Sequence, residues 1–300
     1  GDINAFTSFD QTVYHICLAS RFFDTGLDIM ADAIRNSAFD QNELEKELEV
    51  VLEEVRRGED IPSRRLFQAL FSKAYQTHPY RRPVIGTTET IKSFSRQDIV
   101  DFFRKWYVPS NMALVVAGDF KAKEVLPKIQ AAFEDWSVLA SSEQSREPEQ
   151  SQSGMRIALL KDDVQEAHLN IAFHISDLKH EDSYALDVLA LIAGQGESSR
   201  LYRQVKDKEG LVHTVHSSSY TPKDPGLLVT SAVLETEKAT PAIKAILREL
   251  YALKSKPPSP EELEKAKLNI EADFVFQKET VQGQAQSLGY FETVAGNLDF

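Results

Sequence analysis

A low-complexity stretch in the middle of the chain does most to limit how it can fold. Residues 141–154 read SSEQSREPEQSQSG and contain almost no apolar side chain. Such a segment cannot bury enough apolar surface to offset the entropy of ordering it, and its composition is typical of a linker. A chain of 300 residues is also long enough for two domains of ordinary size. We therefore predict a first domain over 1–140, a linker over 141–154 and a second domain over 155–300.

Both halves combine strand patterns with amphipathic helix patterns. Asn4–Ala19 has the β-branched and aromatic content of a strand or strand pair, and Met112–Ala117 is a short apolar run typical of a buried strand. Further strands are predicted over 156–160, 167–175, 211–220 and 227–234. Helices are predicted over 24–36, 40–57, 63–74, 95–106, 122–133, 182–193, 201–208, 240–253, 260–278 and 279–298. Strands followed by runs of helices favour an α+β fold of two similar domains, each a mostly antiparallel sheet with helices on one face.

Charge and composition exclude several classes of partner. The formal net charge of −12 argues against nucleic acid and anionic membranes, which bind positive surfaces. The acidic balance identifies no substrate, because acidic surfaces also keep proteins soluble. No apolar run reaches the roughly 18 residues of a membrane span, so none is predicted. Cys17 is the only cysteine, which excludes an internal disulfide and thiolate zinc patterns.

The helix predicted over 40–57 carries an unusual pair of acids. Asp40 and Glu43 form the Asp-x-x-Glu pattern of a capping box at its start. On a helical wheel Glu47 and Glu54 lie about 20° from each other, two turns apart, inside the arc of apolar side chains. A carboxylate there is expected to be partly buried and to need a cation or a hydrogen bond. From periodicity alone, both acids are most simply flank residues paired with Arg or Lys.

Several stretches resemble, in order and spacing, the pitrilysin/insulinase family of zinc peptidases. The segment EKELEVVLEEV over 45–55 resembles the family's glutamate helix, which completes an inverted zinc motif, H-x-x-E-H. Asn4–Ser8, with Thr12 and Tyr14, resembles the strand that follows the family's zinc helix. The other matches are HPYRRPVIG over 78–86, YVPSNMALVVAGD over 107–119, SRLY over 199–202 and GLV over 210–212. The likeness spans nearly the whole chain, and the ordered set is more specific than any single piece.

The resemblance implies roles for particular residues. Glu54 matches the third zinc ligand, and Glu47 matches a supporting glutamate that would orient the ligands without binding the metal itself. A short strand segment matches the family strand whose edge pairs with the substrate backbone, as in strand addition. The residues of that segment are Asn4, Ala5, Phe6 and Thr7. The alternative for this segment is an ordinary inner strand.

The histidines of the family motif are not in this chain. Two such histidines would bind zinc, and the Glu between them would take a proton from the zinc-bound water. None of the seven histidines lies in H-x-x-E-H or H-E-x-x-H, and in the family the motif precedes the strand of Asn4. We expect either a fragment that starts after the motif or part of a non-catalytic relative. Zinc is then expected in the intact parent and not in this chain, because a catalytic site needs three protein ligands.

A second departure from the family lies in the second half. There the family has an Arg and a Tyr, seven residues apart, that contact the substrate, and the matching positions here are Lys206 and His213. The departure indicates a zinc-bearing half whose Arg/Tyr pair comes from a partner domain or subunit, a second copy of the chain being one option. His213 and His216 are not predicted to bind a metal, because residues three apart in a strand point to opposite faces.

The combined interpretation is a part of a zinc metalloendopeptidase that acts on unfolded peptides. The chain alone is expected to have little or no peptidase activity. The alternative is a non-catalytic subunit of the same family with a structural or substrate-presenting role. Retention of Glu47 and Glu54 favours the enzyme, because a non-catalytic relative has no need of them. The sequence leaves the compartment open, and we expect a soluble protein of the bacterial cytoplasm or periplasm.

Overall fold

The computed structural model of the protein describes residues 1–136 and 146–299. Its residues pack into two compact units. The first contains Gly1–Arg56 and the described parts of Val84–Ser145 and Gln277–Phe300, and the second contains Arg57–Pro83 and Arg146–Phe276. The units alternate along the chain, whereas the predicted domains are consecutive. The division into two similar domains stays a prediction, and its residues 137–145 lie outside the described residues.

Short strands and longer helices succeed one another along the chain. The strands are β1 (Asp2–Thr7), β2 (Thr12–Cys17), β3 (Ala167–His174), β4 (Thr214–Tyr220) and β5 (Leu227–Leu234). The helices are α1 (Phe23–Arg35), α2 (Gln41–Glu59), α3 (Pro62–Ala74), α4 (Thr88–Ser93), α5 (Arg96–Trp106), α6 (Ala122–Phe133), α7 (Ser183–Gly194), α8 (Ala239–Ala252), α9 (Pro260–Gln277) and α10 (Val281–Tyr290). Two π-helical segments, Tyr202–Lys208 and Phe291–Ala295, follow α7 and α10.

The first unit begins with an antiparallel hairpin. β1 pairs with β2 in a register that puts Ala5 opposite Tyr14. The turn closes through a hydrogen bond of 2.8 Å from the backbone N–H of Ser8 to the carbonyl of Gln11. The strand pair predicted from the β-branched and aromatic residues of this region is confirmed.

Helix α2 packs through a narrow apolar stripe. Leu52 and Val55 are 3% and 7% exposed and contact Ile91 of α4, with Leu48 at the margin. At its start, Oδ1 of Asp40 accepts hydrogen bonds from the backbone N–H groups of the second and third residues that follow, at 2.9 and 3.2 Å. This bonding satisfies donors that a helix leaves free at its first turn, so the part of the predicted capping box that Asp40 supplies is confirmed. The carboxylate of Glu43 accepts a hydrogen bond from Lys46 at 2.6 Å.

The second unit is built on a three-stranded antiparallel sheet in the order β3-β5-β4. The central strand β5 is buried along most of its length. Its core joins the sheet to α8 and the π-helical segment through Leu201, Val205, Leu234 and Ile246, all fully buried. Helix α7 packs closely on β4 at Gly194. Antiparallel sheets with helices packed against them confirm the predicted α+β class.

Two predicted strands are wrong for the described part of the chain. Met112–Ala117 and Arg156–Leu160 join no sheet there. An apolar run indicates an extended segment that can be buried, but a strand also needs a ladder partner, which the run does not supply. No helix in the described ranges is both long enough and apolar enough to cross a membrane.

Candidate functional site

Helix α2 places Glu47 and Glu54 on one side, two turns apart and about 10 Å along the axis. Both side chains are exposed, and so is Val50 between them, at 61%. The expected partial burial of the two acids is therefore wrong. The helical wheel counted Val50 in the apolar arc, but the stripe that packs runs through Leu52 and Val55. The acids lie beyond the edge of that stripe.

Neither acid has a counter-charge among the residues that the structure describes. Glu53, the neighbour of Glu54, forms an ion pair with Arg56 at 3.0 Å. Glu47 and Glu54 make no ion pair or hydrogen bond with any residue in the described ranges. The interpretation of these two acids as flank residues is therefore correct in their position, but the pairing with Arg or Lys that it included is wrong. Two unpaired carboxylates on one open helix face are free to accept a cation or a donor from another segment.

A metal ion would find one carboxylate ligand on this face but not a complete site. Within the described ranges, no group of three or more His, Cys, Asp or Glu side chains lies close enough to hold a metal. Glu54 fits the role of one oxygen ligand, since it is exposed and unpaired. A catalytic zinc takes three protein ligands, so the described residues alone do not form its site.

Strand β1 has an open backbone edge. One edge pairs with β2, and no described strand pairs with the other. The backbone N–H of Ala5 donates to Oδ1 of Asn4 at 2.8 Å, and not to β2, which places this amide on the open edge. Because the backbone groups of a strand alternate between its two edges, Ile3 and Thr7 face the same way as Ala5. All of Asn4, Ala5, Phe6 and Thr7 are exposed.

A tyrosine pair fixes the hairpin to α5. The hydroxyl of Tyr14, directly opposite Ala5, forms a hydrogen bond of 2.5 Å with the hydroxyl of Tyr107. The ring of Tyr107 stacks on Phe103, with 4.6 Å between centroids. Burial, and then the hydroxyl of Tyr14, raise the pKa of Tyr107 well above its usual value, so this phenol stays protonated and can donate. The sequence does not predict this contact, because local spacing does not signal a partner 93 residues away.

Lys206 and His213 lie in the second unit. Lys206 belongs to the π-helical segment, with its ammonium 4.4 Å from the ring centroid of Tyr202. His213 precedes β4, and its Nε2 lies 3.7 Å from a carboxylate oxygen of Glu166. Lys206 is half-buried, and His213 is exposed. His213 and His216 belong to no described metal-binding group.

Comparison with known proteins identifies the class. Residues 1–88 match the sequence model described as Insulinase (Peptidase family M16), and residues 93–270 match the Peptidase M16 inactive domain. The fold and these matches define a chain of the peptidase class. The chain belongs to peptidase family M16, which confirms the resemblance found in the sequence.

Relatives with curated names are zinc proteases of bacteria. An uncharacterized zinc protease of Rickettsia felis is 28% identical over 290 residues, covering 96% of this chain and 69% of that protein. The zinc protease PqqE of Helicobacter pylori is 31% identical over 287 residues, covering 93% of this chain and 64% of that protein.

Solved structures of similar proteins have the same fold. A protease from Helicobacter pylori superposes with a TM-score of 0.91 at 30% identity, covering 97% of this chain and 72% of that chain. A peptidase M16 inactive domain from Pseudomonas fluorescens superposes with a TM-score of 0.87 at 17% identity, covering 99% of this chain and 71% of that chain, and it supports the fold alone.

Proposed function

We propose that this chain is the part of an M16 zinc metalloendopeptidase that supplies the carboxylate ligand and the peptide-binding strand. Glu54 is the metal ligand, and Glu47 supports it from one heptad earlier on the same helix face. The observation that carries the proposal is the pair of exposed, unpaired carboxylates on α2. The two charges lie on one side of α2, two turns apart, where a cation or another segment can meet them both.

The zinc, when bound in the intact parent, supplies Lewis-acid chemistry for peptide hydrolysis. Two histidines and a general-base glutamate would have to come from outside the described residues, because these offer one ligand only. The role of this chain's own residues is therefore to hold one side of the metal and to bind the substrate. No step of the reaction is assigned to them beyond that.

The open edge of β1 is the proposed peptide site. An extended peptide would add as a strand beside Asn4, Ala5, Phe6 and Thr7, which favours unfolded segments because their backbone groups are not yet paired within secondary structure. The amide of Ala5 is held by the side chain of Asn4, and it would be released to an incoming carbonyl. The bond between Tyr14 and Tyr107 keeps the hairpin in place while the edge is occupied.

The partner is a second M16-like half that carries an arginine and a tyrosine where this chain has Lys206 and His213. The imidazole of His213 lies 3.7 Å from a carboxylate oxygen of Glu166, and it has no phenol hydroxyl to offer to a substrate. We propose that the partner half is either fused to the parent or a separate subunit. We propose that the protein is located in a bacterial cytoplasm or periplasm.

A test uses the full-length natural parent of this chain. Glu54→Gln is expected to lower hydrolysis of a quenched-fluorescent unfolded peptide by at least about 100-fold and to lower zinc content measured by mass spectrometry. The matched control is Glu49→Gln, on the exposed side of the same helix, which is expected to leave both unchanged. Full zinc and full activity in Glu54→Gln would contradict the proposal.

The second candidate is a non-catalytic subunit that presents substrate or supports a partner. It is favoured by the match of residues 93–270 to the inactive domain. In this case the parent alone binds no zinc and cleaves no peptide, and it raises the activity of its partner half. Determining the sequence that encodes the parent upstream of Gly1 separates the two, since the enzyme requires H-x-x-E-H there.

A further inference from the structure

The second unit contains an open cleft of about 510 Å³ beside the end of α3. Its lining is polar and positively charged. The residues are Ser72, Lys73, Gln76, Arg81, Arg156 and Ile157. Three cationic side chains and no carboxylate line this cleft. The net charge of the chain is −12, so the charge of the cleft is opposite to that of the protein as a whole.

The two arginines are held in place by backbone carbonyls. Arg81 donates from Nη1 to the carbonyl of Gln76 at 2.5 Å. Arg156 donates from Nη1 to the carbonyls of Lys73 and Ala74, at 3.0 and 2.6 Å, which caps the last turn of α3. A guanidinium has five donors, so both arginines keep donors for a ligand, and their side chains need little further ordering to bind it.

Most of the positive charge in the cleft is not neutralised. Lys73 and Arg81 form no ion pair with any carboxylate in the part of the chain that the structure describes. Glu149 lies 3.5 Å from Arg156 but does not line the cleft. Its carboxylate already accepts hydrogen bonds from three backbone amides and a hydroxyl of residues 76–78, and it is 8% exposed.

We propose that this cleft binds a dianionic oxyanion of the phosphoryl class, with Lys73, Arg81 and Arg156 as its cationic ligands. The planar guanidinium forks match the paired oxygens of a phosphoryl group, and Lys73 contributes a mobile point charge. A singly charged carboxylate would leave most of the three charges unmatched. The side-chain amide of Gln76 and the hydroxyl of Ser72 supply neutral hydrogen-bonding groups among the lining residues.

The test is calorimetric titration of the whole chain with inorganic phosphate and with pyrophosphate, at one ionic strength set by sodium chloride. We expect saturable binding to one site, tighter for pyrophosphate because it carries more charge. Lys73→Gln and Arg81→Gln are each expected to weaken binding by about 10-fold, since each removes a charge-assisted contact. Lys244→Gln, which changes an exposed lysine on α8, is the matched control and is expected to bind as the wild type does.

O-phosphoserine distinguishes the source of the ligand. If it binds as well as inorganic phosphate, the cleft accepts the phosphoryl group of a larger molecule, and if it does not bind, the cleft takes the free ion. Lys73→Gln and Arg81→Gln are expected to melt as the wild type does, because both side chains are exposed, and thermal melting checks that the two variants are folded. The proposal is overturned if neither phosphate nor pyrophosphate binds saturably, or if Lys244→Gln weakens binding as much as the two cleft variants.

Discussion

The carboxylate of Glu149 accepts a hydrogen bond from the backbone N–H of His78 at 3.1 Å. The same carboxylate also accepts from the amides of Gln76 and Thr77, at 2.8 to 2.9 Å, and from the hydroxyl of Thr77. Glu149 belongs to the stretch predicted as a linker, and yet its side chain is 8% exposed. This part of the linker is thus fixed to the turn after α3 by side-chain bonds to the backbone.

Replacing Glu149 by Gln should destabilise the protein by about 2 to 3 kcal/mol at pH 7. Burial raises the pKa of Glu149, but the hydrogen bonds outweigh it and lower the pKa from near 4.5 to about 2. A lowered folded-state pKa stabilises the fold above the unfolded value, so the contribution is present above pH 4.5 and is lost as pH falls from 4.5 towards 2.

The measurement for Glu149 is chemical denaturation of wild type and variant at several pH values. The difference in unfolding free energy should shrink as the pH is lowered below about 4.5. Glu147→Gln, two residues earlier and exposed, should change stability little at any pH. A difference that is the same at pH 7 and pH 3 would contradict the assignment.

Arg200→Lys should destabilise the second unit by about 1 to 2 kcal/mol. Arg200 holds Glu262 with two parallel bonds of 2.8 Å and also donates to the carbonyls of Lys256 and Pro257. The bonds from Arg200 are the main cause that lowers the pKa of Glu262 to about 2. Lysine keeps the charge but cannot reproduce the paired geometry.

The thermal midpoint of the unfolding transition checks this substitution. Arg203→Lys, at an exposed position on the following π-helical segment, serves as the matched control and should melt as the wild type does. Equal midpoints for Arg200→Lys and wild type would show that the position needs only a positive charge.

Gly194→Ala should cost about 2 to 3 kcal/mol, because it adds a methyl group where α7 meets β4. A Cβ atom at this position would lie 2.5 Å from the backbone nitrogen of Ser217 and 2.6 Å from its Cβ. Backbone atoms of a paired strand cannot move aside cheaply. Gly154→Ala, where no atom lies within 4 Å of the added carbon, should be neutral in the same urea titration. A neutral Gly194→Ala would mean that α7 can shift away from the sheet.

Local patterns in the sequence predicted most of the helices and strands and the family. They failed where the structure of a segment depends on a contact with a residue far away in the sequence. The cap at Asp40 and the hairpin of β1 and β2 depend on neighbouring residues, so they could be read from spacing. The binding of Glu149 by amides more than 70 residues away could not, since linker composition reports only the lack of apolar side chains. The helical wheel gives the angle of Glu54 around α2, but it does not show which part of the apolar arc packs against another element. For this reason it predicted partial burial for a side chain that is exposed.

The exposed position of Glu54 leads to a prediction for the chain itself, separate from any test of peptidase activity. Glu54→Gln should change its unfolding free energy by no more than about 0.5 kcal/mol, because an exposed carboxylate without a partner contributes little to folding. Leu52→Ala, two residues earlier on the buried stripe, should cost about 3 kcal/mol through the cavity it leaves against Ile91. Urea denaturation of the three chains side by side measures both. A large loss of unfolding free energy in Glu54→Gln would mean that this carboxylate stabilises the fold. Its presence in the sequence would then be explained by folding and would no longer support a role as a metal ligand.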